Sequence, residues 1–421
     1  MKLQSIRGMN DIFELEARLW GKIESISRKV FAAHGYTEIR TPIVENTQLF
    51  QRSVGESSDI VAKEMYSFSD RNGDSLSLRP EGTASVVRAY LQHSLMQDKA
   101  VQKFFYLGPM FRHERPQKGR YRQFYQLGVE VFGAAEALAD VEVIQIQDAL
   151  LKAFGIEERE LHISSLGCSV CRPPYNAKLK QELDKISDKI CEDCLRRKEK
   201  NPLRVFDCKN PNCQELYKGL PKMMDAICGD CQEHFADLKK GLDALGIRYK
   251  IDTSLVRGLD YYNRSAFEFV STGEVLGAQA TLSAGGRYDT LVENLGGKPT
   301  PAVGFAAGIE RLALLMQEQK DSLQLRPDIY FVLPDDSAWE IALPLAAILR
   351  EHGHYIETDL QKKKMKQQMK RANKLAARFV LILGESERES AKAILKNMED
   401  GQQREISLDS LEQDLLNLLS N

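Results

Sequence analysis

Five cations, Arg112, Arg115, Lys118, Arg120 and Arg122, crowd the eleven positions 112–122. Arg112 directly follows the apolar run Tyr106-Leu107-Gly108-Pro109-Met110-Phe111. A guanidinium anchored at the end of an apolar strand is pre-organised for paired hydrogen bonds to a phosphate. Two more arginines stand in glycine-punctuated segments: Arg257 in Val256-Arg257-Gly258-Leu259-Asp260-Tyr261-Tyr262-Asn263, and Arg311 in Gly304-Phe305-Ala306-Ala307-Gly308-Ile309-Glu310-Arg311. Between these blocks, Ser283-Ala284-Gly285-Gly286-Arg287-Tyr288-Asp289 carries paired glycines that permit a ligand close to the backbone.

Complementary acids and amides lie nearby in sequence. Gln126, Gly128 and Glu130 alternate, so a strand would turn all three to one face, and a polar face on an otherwise apolar strand implies a pocket. Leu78-Arg79-Pro80-Glu81-Gly82-Thr83 is a strand-to-helix turn that exposes a carboxylate beside a hydroxyl, a setting suited to a substrate ammonium. The same turn also reads as an ordinary helix start capped by Thr83. Neither a Walker phosphate loop nor a GxGxxG fingerprint is present, so those nucleotide sites are unsupported.

All eight cysteines fall between Cys168 and Cys231, as Cys168/Cys171, Cys191/Cys194, Cys208/Cys213 and Cys228/Cys231. Disulfides are disfavoured in a cytosolic chain, whereas close cysteine pairs suit tetrahedral Zn²⁺. The spacing leaves open two closed sites, one site with spare thiols, or metal-free reduced cysteines. A further cluster, 361–378, holds eight Lys/Arg and no acid; Lys362, Lys366, Lys370, Lys374 and Arg378 recur every four residues. A solvated helix face is the usual explanation for such a run.

These residues need a scaffold. The 421 residues, 43% of them hydrophobic, suffice for two to four domains. A balance of 58 Lys+Arg against 60 Asp+Glu argues against a histone-like basic binder and an acidic disordered tail, while a local basic patch for nucleic acid stays open. No apolar run reaches the roughly 18 residues of a membrane span, and the start, Met1-Lys2-Leu3-Gln4-Ser5-Ile6-Arg7-Gly8, lacks the apolar centre of a signal peptide, so cytoplasm is expected. Leu15, Leu19, Ile23, Ile26 and Val30 predict an amphipathic helix ending near Gly35. Strands are predicted at 36–45, with Pro42 confining it to an edge or bulge, and at 65–69, 75–79, 103–111 and 121–132, the last two forming a hairpin. A helix follows at 136–154, then the Cys-rich module, then strands at 249–251, 262–270 and 280–283, and a strand-to-helix unit at 301–316. Beyond Arg326-Pro327 the pattern is α/β alternation, with strands at 328–333, 355–359 and 379–383 and helices at 337–351 and 361–377.

The four blocks together resemble class II aminoacyl-tRNA synthetases, and within them the histidyl-tRNA synthetase family. Phe111-Arg112-His113-Glu114-Arg115 is similar to motif 2, and Gly304 to Arg311 to motif 3. The first helix with Pro42 is similar to motif 1, and the segments 257–263 and 284–289 to the histidyl signatures. The resemblance implies an α+β catalytic domain built on an antiparallel sheet, a helical Cys-rich insertion and a C-terminal α/β anticodon-binding domain. It divides the chain into 1–165 (catalytic, first part), 166–246 (insertion), 247–323 (catalytic, second part) and 326–421. The activity implied is ATP-dependent ligation of L-histidine to its tRNA through a histidyl-adenylate.

By motif position, Arg112 and Arg257 would be the catalytic cations, Arg112 on the α-phosphate and Arg257 bridging it to the histidine carboxylate. Arg120 and Arg311 would hold the far phosphates, and Phe124 would stack on adenine. Glu81, Thr83 and Gln126 would receive the ammonium, while an ionised Glu130 and Tyr262, beside Tyr261, would read the imidazole. Arg115 and Gln117 would meet the tRNA acceptor end. ATP with Mg²⁺, structural Zn²⁺ on the cysteines and a homodimer complete the expectation. The rival is a non-catalytic regulatory subunit of histidine biosynthesis, expected to lack the catalytic arginines and the anticodon-binding unit; a same-class synthetase for another amino acid would lack the 257–263 block.

Overall fold

The computed structural model describes residues 3–55, 58–97, 99–361 and 363–420, in two compact units, Met1–Ser322 and Leu323–Asn421. The first is built on an eight-stranded sheet in the order Thr37–Glu38, Gln102–Phe111, Gln123–Phe132, Ala302–Gly308, Thr281–Arg287, Asn263–Ser271, Arg159–Ser165, Tyr249–Ile251. All neighbours are antiparallel except the two edge pairs, which are parallel. The hairpin expected around 112–122 is present, with Phe111 opposite Gln123.

Packed on this sheet, helix Glu14–Ala33 buries Leu19, Trp20, Ile23, Ser27 and Phe31, one stripe at helical spacing. Leu15, Ile26 and Val30 flank that stripe half-buried, so the buried face is rotated from the predicted one. Gly35 follows at φ +76°, a left-handed turn that favours glycine. The single strand expected at 36–45 is corrected to two, Thr37–Glu38 in the large sheet and Val44–Asn46 in a separate three-stranded one. Pro42 lies between them, where a missing N–H and a fixed φ break the ladder.

The Cys-rich module leaves the sheet after Arg159–Ser165 and returns at Tyr249–Ile251, a strand paired directly with it, so the detour leaves the sheet continuous. It is helical: Arg172–Asp184, Glu192–Lys200, Pro211–Tyr217 and Gly229–Ala244 surround a small core of Tyr175, Leu179, Leu183, Leu203, Val205 and cysteine side chains.

The second unit has strands in the order Ile356–Thr358, Ile329–Val332, Phe379–Ile382, Lys392–Asn397, Gln403–Ser407. The first three are parallel, as alternation predicts, but the last two add an antiparallel hairpin that the sequence reading did not identify. The basic helix is shorter than expected, Met365–Lys374, with Gln368 and Ala372 inward and Lys366, Lys370 and Lys374 exposed. Arg378 lies past its end and pairs with Asp328 at 3.0 Å; Lys362 is outside the described residues. Among the described residues, no helix is long and apolar enough to cross a membrane.

Candidate active site

One cavity of about 440 Å³ opens over the middle strands of the large sheet. Glu81, Thr83, Arg112, Arg120, Phe124, Gln126, Arg257, Tyr261, Tyr262 and Arg311, separated by up to 230 positions in sequence, all line it.

Each is positioned by its local fold. Arg112 begins the hairpin loop, its backbone N–H bonded to Arg122 O (2.9 Å) and its Nε to Pro80 O (2.9 Å), which fixes the guanidinium above the turn that carries Glu81. Phe124 packs beneath it, with Cζ of Arg112 5.1 Å from the ring centre. Arg120 Nη1 pairs with Glu114 at 2.8 Å, and Arg311 donates to Thr281 O at 2.6 Å. Arg257 Nη1 meets Glu268 at 3.0 Å. The guanidinium of Arg311 is held below its ordinary pKa, first by burial and then by the charges of Arg120 and Arg112. Cations gathered this closely favour a polyanion between them.

The same cavity also carries acidic and phenolic groups. Glu81 starts helix Thr83–Gln92, its carboxylate accepting from Thr83 N and Ala84 N, both at 2.8 Å. Burial raises its pKa, and those two amides oppose the rise. Burial likewise pushes the Tyr262 phenol up to about 12, with Arg257 opposing, so it remains a neutral hydrogen-bonding group. Among the described residues, Gln126 Oε1 and Arg257 Nε are buried without a hydrogen-bond partner, polar atoms that a ligand would satisfy.

Glu130 does not border the cavity. It lies under it, 1% exposed, accepting from Thr83 Oγ1 (2.7 Å) and from the Tyr288 hydroxyl. Burial pushes its carboxyl up to about 8, against the pull of those two bonds. In the ligand-free protein burial therefore favours the protonated form, whereas the sequence reading expected an ionised Glu130. Gly304 is its partner across the sheet, and a Cβ there would stand 1.9 Å from Glu130 Oε2.

The paired glycines serve neighbouring protein atoms. A Cβ on Gly285 would strike Gly304 O at 2.2 Å, and one on Gly286 would strike Ser265 O at 2.5 Å and the Tyr262 ring at 2.9 Å. Their smallness admits the adjacent strands and that ring, which corrects the expectation of a ligand approach. Arg287 is fully buried and pairs with the equally buried Asp140, a structural ion pair.

Arg115 and Gln117 are exposed on the hairpin loop outside the cavity wall; Gln117 and Arg120 exchange backbone hydrogen bonds of 3.0 and 2.9 Å across its tip. Sequence reasoning missed Glu114, Glu268, Glu310 and Tyr106 on the wall and Tyr288 beneath it. Glu114, Glu310 and Tyr288 stood inside the motif blocks, beside residues that were chosen. The cysteines form two groups, Cys168/Cys171/Cys228/Cys231 and Cys191/Cys194/Cys208/Cys213, within each of which the sulfurs lie within 4.8 Å of one another.

The family model for histidyl-tRNA synthetases matches residues 8–312, and that for the anticodon-binding domain matches 328–418. The chain is 47% identical to a histidine–tRNA ligase of Trichlorobacter lovleyi over 97% of each chain. It is 46% identical to that of Halothermothrix orenii over the full length of both. Its fold matches the crystal structure of apo Staphylococcus aureus histidyl-tRNA synthetase with a TM-score of 0.82 at 35% identity, over 98% of this chain and 99% of the other.

Proposed function

The chain belongs to the histidyl-tRNA synthetase family, and on that premise we propose how its cavity ligates L-histidine to tRNA. The reaction is ATP-dependent and passes through histidyl-adenylate. Histidine carboxylate attacks the α-phosphorus of ATP, pyrophosphate leaves, and the acyl group then passes to the terminal ribose of tRNA.

The observation that carries the assignment is the convergence of Arg112, Arg120, Arg257 and Arg311 on one cavity that also holds Glu81, Thr83, Gln126 and Tyr262. Bringing two anions together is the electrostatic obstacle of the first step, and fixed guanidiniums offset it without reorganising. Arg112 and Arg257 take the α-phosphate and the attacking carboxylate. Arg120 exchanges Glu114 for the outer phosphates, which Arg311 also grips. Phe124, already under a guanidinium, stacks on adenine. ATP enters as its magnesium complex.

Glu81, Thr83 and Gln126 receive the α-ammonium, with Tyr261 (hydroxyl 3.5 Å from Glu81) closing that end. The imidazole reaches down to Glu130 and across to Tyr262. A protonated Glu130 and a neutral imidazole share one proton, so the pair forms a charge-assisted bond without drawing a proton from solvent. Side chains lacking two ring nitrogens would leave buried polar groups unpaired, which is the basis of discrimination. No side-chain nucleophile is needed; proximity and charge carry the chemistry.

For tRNA, Arg115 and Gln117 meet the acceptor end and the 328–418 unit reads the anticodon arm. The chain works as a cytoplasmic homodimer joined through the first helix and the segment around Pro42, with the four-part division at 1–165, 166–246, 247–323 and 326–421. The cysteine module takes structural zinc. The regulatory-subunit alternative is disfavoured by the retained Arg112, Arg257 and Arg311 and by the anticodon-binding match. Histidine-dependent ATP–pyrophosphate exchange followed by acylation of histidine tRNA tests the function; exchange that is indifferent to histidine would overturn it.

A further inference from the structure

The sequence left the cysteine pairing open, and the fold closes the question. The two groups are nested: the outer set joins the ends of the module, Cys168 and Cys171 with Cys228 and Cys231, and the inner set lies wholly between them. Sulfur separations are 3.5 Å (Cys168–Cys171), 3.8 Å (Cys168–Cys228), 3.8 Å (Cys171–Cys231) and 3.7 Å (Cys191–Cys208). Four thiolates about 2.3 Å from a tetrahedral Zn²⁺ stand about 3.8 Å from one another. Backbone amides already point at the sulfurs, Cys228 N at Cys171 (3.1 Å), Cys191 N at Cys213 (3.3 Å) and Asn210 N at Cys208 (3.4 Å), as thiolate charge requires.

Both groups are tied to the loop that carries Arg257 and Tyr262. Arg172, next to Cys171, donates to Tyr262 O at 2.8 Å. Gly167, next to Cys168, accepts from Arg264 N at 2.9 Å. On the inner side, Arg204 donates to Gly258 O at 3.0 Å and to Asp207 at 3.1 Å, and Asp207 precedes Cys208. Asn201 holds Asp260 at 2.9 Å. Val256 packs on the module's core, and Asp207 and Lys209, which flank Cys208, line the catalytic cavity.

We propose that the module binds two thiophilic divalent ions, zinc by chemistry, one in Cys168/Cys171/Cys228/Cys231 and one in Cys191/Cys194/Cys208/Cys213, and that they position the histidine-reading loop through Arg172 and Arg204. The second half rests on the synthetase reading of the cavity; the first does not. Each site is closed, with four thiolates and no open position, so its role is structural. Binding exchanges four thiol protons for one ion. Arg172 and Arg204 are positioning residues.

Elemental analysis of the full chain should give two zinc per chain, and X-ray absorption on the unmodified protein should give four sulfurs at about 2.3 Å. Cys168→Ser with Cys228→Ser should remove one zinc and leave the other. Loss of both from a folded variant would mean that Cys168 and Cys228 serve different ions and would overturn the pairing, and a folded chain that binds no zinc, or whose cysteines are disulfide-linked, would overturn the sites. If that variant fails to fold, absorption on the native protein still tests for four-sulfur sites, and Cys191→Ser with Cys208→Ser tests the pairing, one zinc remaining if the sets are nested and none if they are not. Arg172→Gln should keep both ions and raise the KM for histidine about tenfold, with ATP KM unchanged and Arg172→Lys restoring much of the loss. An unchanged histidine KM would refute the bracing. Because zinc content is read independently of activity, failure of the synthetase reading leaves the metal result standing.

Discussion

Replacing Glu130 with glutamine should move stability and activity in opposite directions. The carboxyl is 1% exposed and burial lifts it from an ordinary 4.5 to about 8. Below about pH 4.5 the folded and unfolded chains both keep this proton. Between 4.5 and 8 the unfolded chain releases it while the folded chain holds it, so its contribution to stability is lost progressively as pH rises. At about 1.36 kcal/mol per unit of pKa difference, the loss above pH 8 has a ceiling of about 5 kcal/mol. Glutamine has no proton to lose, and its amide oxygen can accept from one of the Thr83 and Tyr288 hydroxyls while its NH2 donates to the other. Glu130→Gln should therefore gain stability relative to the parent as pH rises from 5 to 8.5, read as diverging urea midpoints. Yet glutamine cannot share a proton with imidazole. Exchanging a charge-assisted bond for a neutral one at about 1.5–3 kcal/mol should lower kcat/KM for histidine about 10- to 100-fold in pyrophosphate exchange. Parallel stability–pH curves would refute the buried-proton argument, and full histidine activation would remove Glu130 from recognition.

Three further outcomes follow from the same geometry. Gly304→Ala places a methyl 1.9 Å from Glu130 Oε2 and 2.4 Å from the Val129 carbonyl; steady-state kinetics should show histidine KM raised about tenfold or more with ATP KM little changed. Asp140→Ala leaves the fully buried Arg287 with Asp289 (3.2 Å) as its carboxylate partner, so chemical denaturation should report about 2–4 kcal/mol less stability, and a change below about 1 kcal/mol would contradict the pairing. Raising salt from about 0.05 to 0.2 M should weaken tRNA binding about tenfold or more while histidine activation changes far less. Alanine at Lys366, Lys370 and Lys374 should flatten that dependence, and equal insensitivity of both activities would count against it.

Much of this was legible in the chain. Arg112 and Arg257 announced themselves because a guanidinium beside an apolar strand or a glycine turn has few bland uses, and the alternation of Gln126, Gly128 and Glu130 gave a strand face that the sheet register confirms. Three features were hidden. The break at Pro42 is a tertiary choice between two sheets, which no local pattern records. The hairpin Lys392–Asn397 with Gln403–Ser407 is a half-exposed pair whose charged outer face masks its apolar alternation. The raised pKa of Glu130 comes from burial, against the pull of the Tyr288 and Thr83 hydroxyls, and desolvation of that kind is a property of the fold alone.

A crystal structure with ATP and histidinol, which lacks the reacting carboxylate, tests the central claim most directly. The triphosphate should lie within hydrogen-bond distance of Arg112, Arg257 and Arg311, with the imidazole seated between Glu130 and Tyr262. Phosphates bound away from all three arginines, or an imidazole outside that pocket, would contradict it.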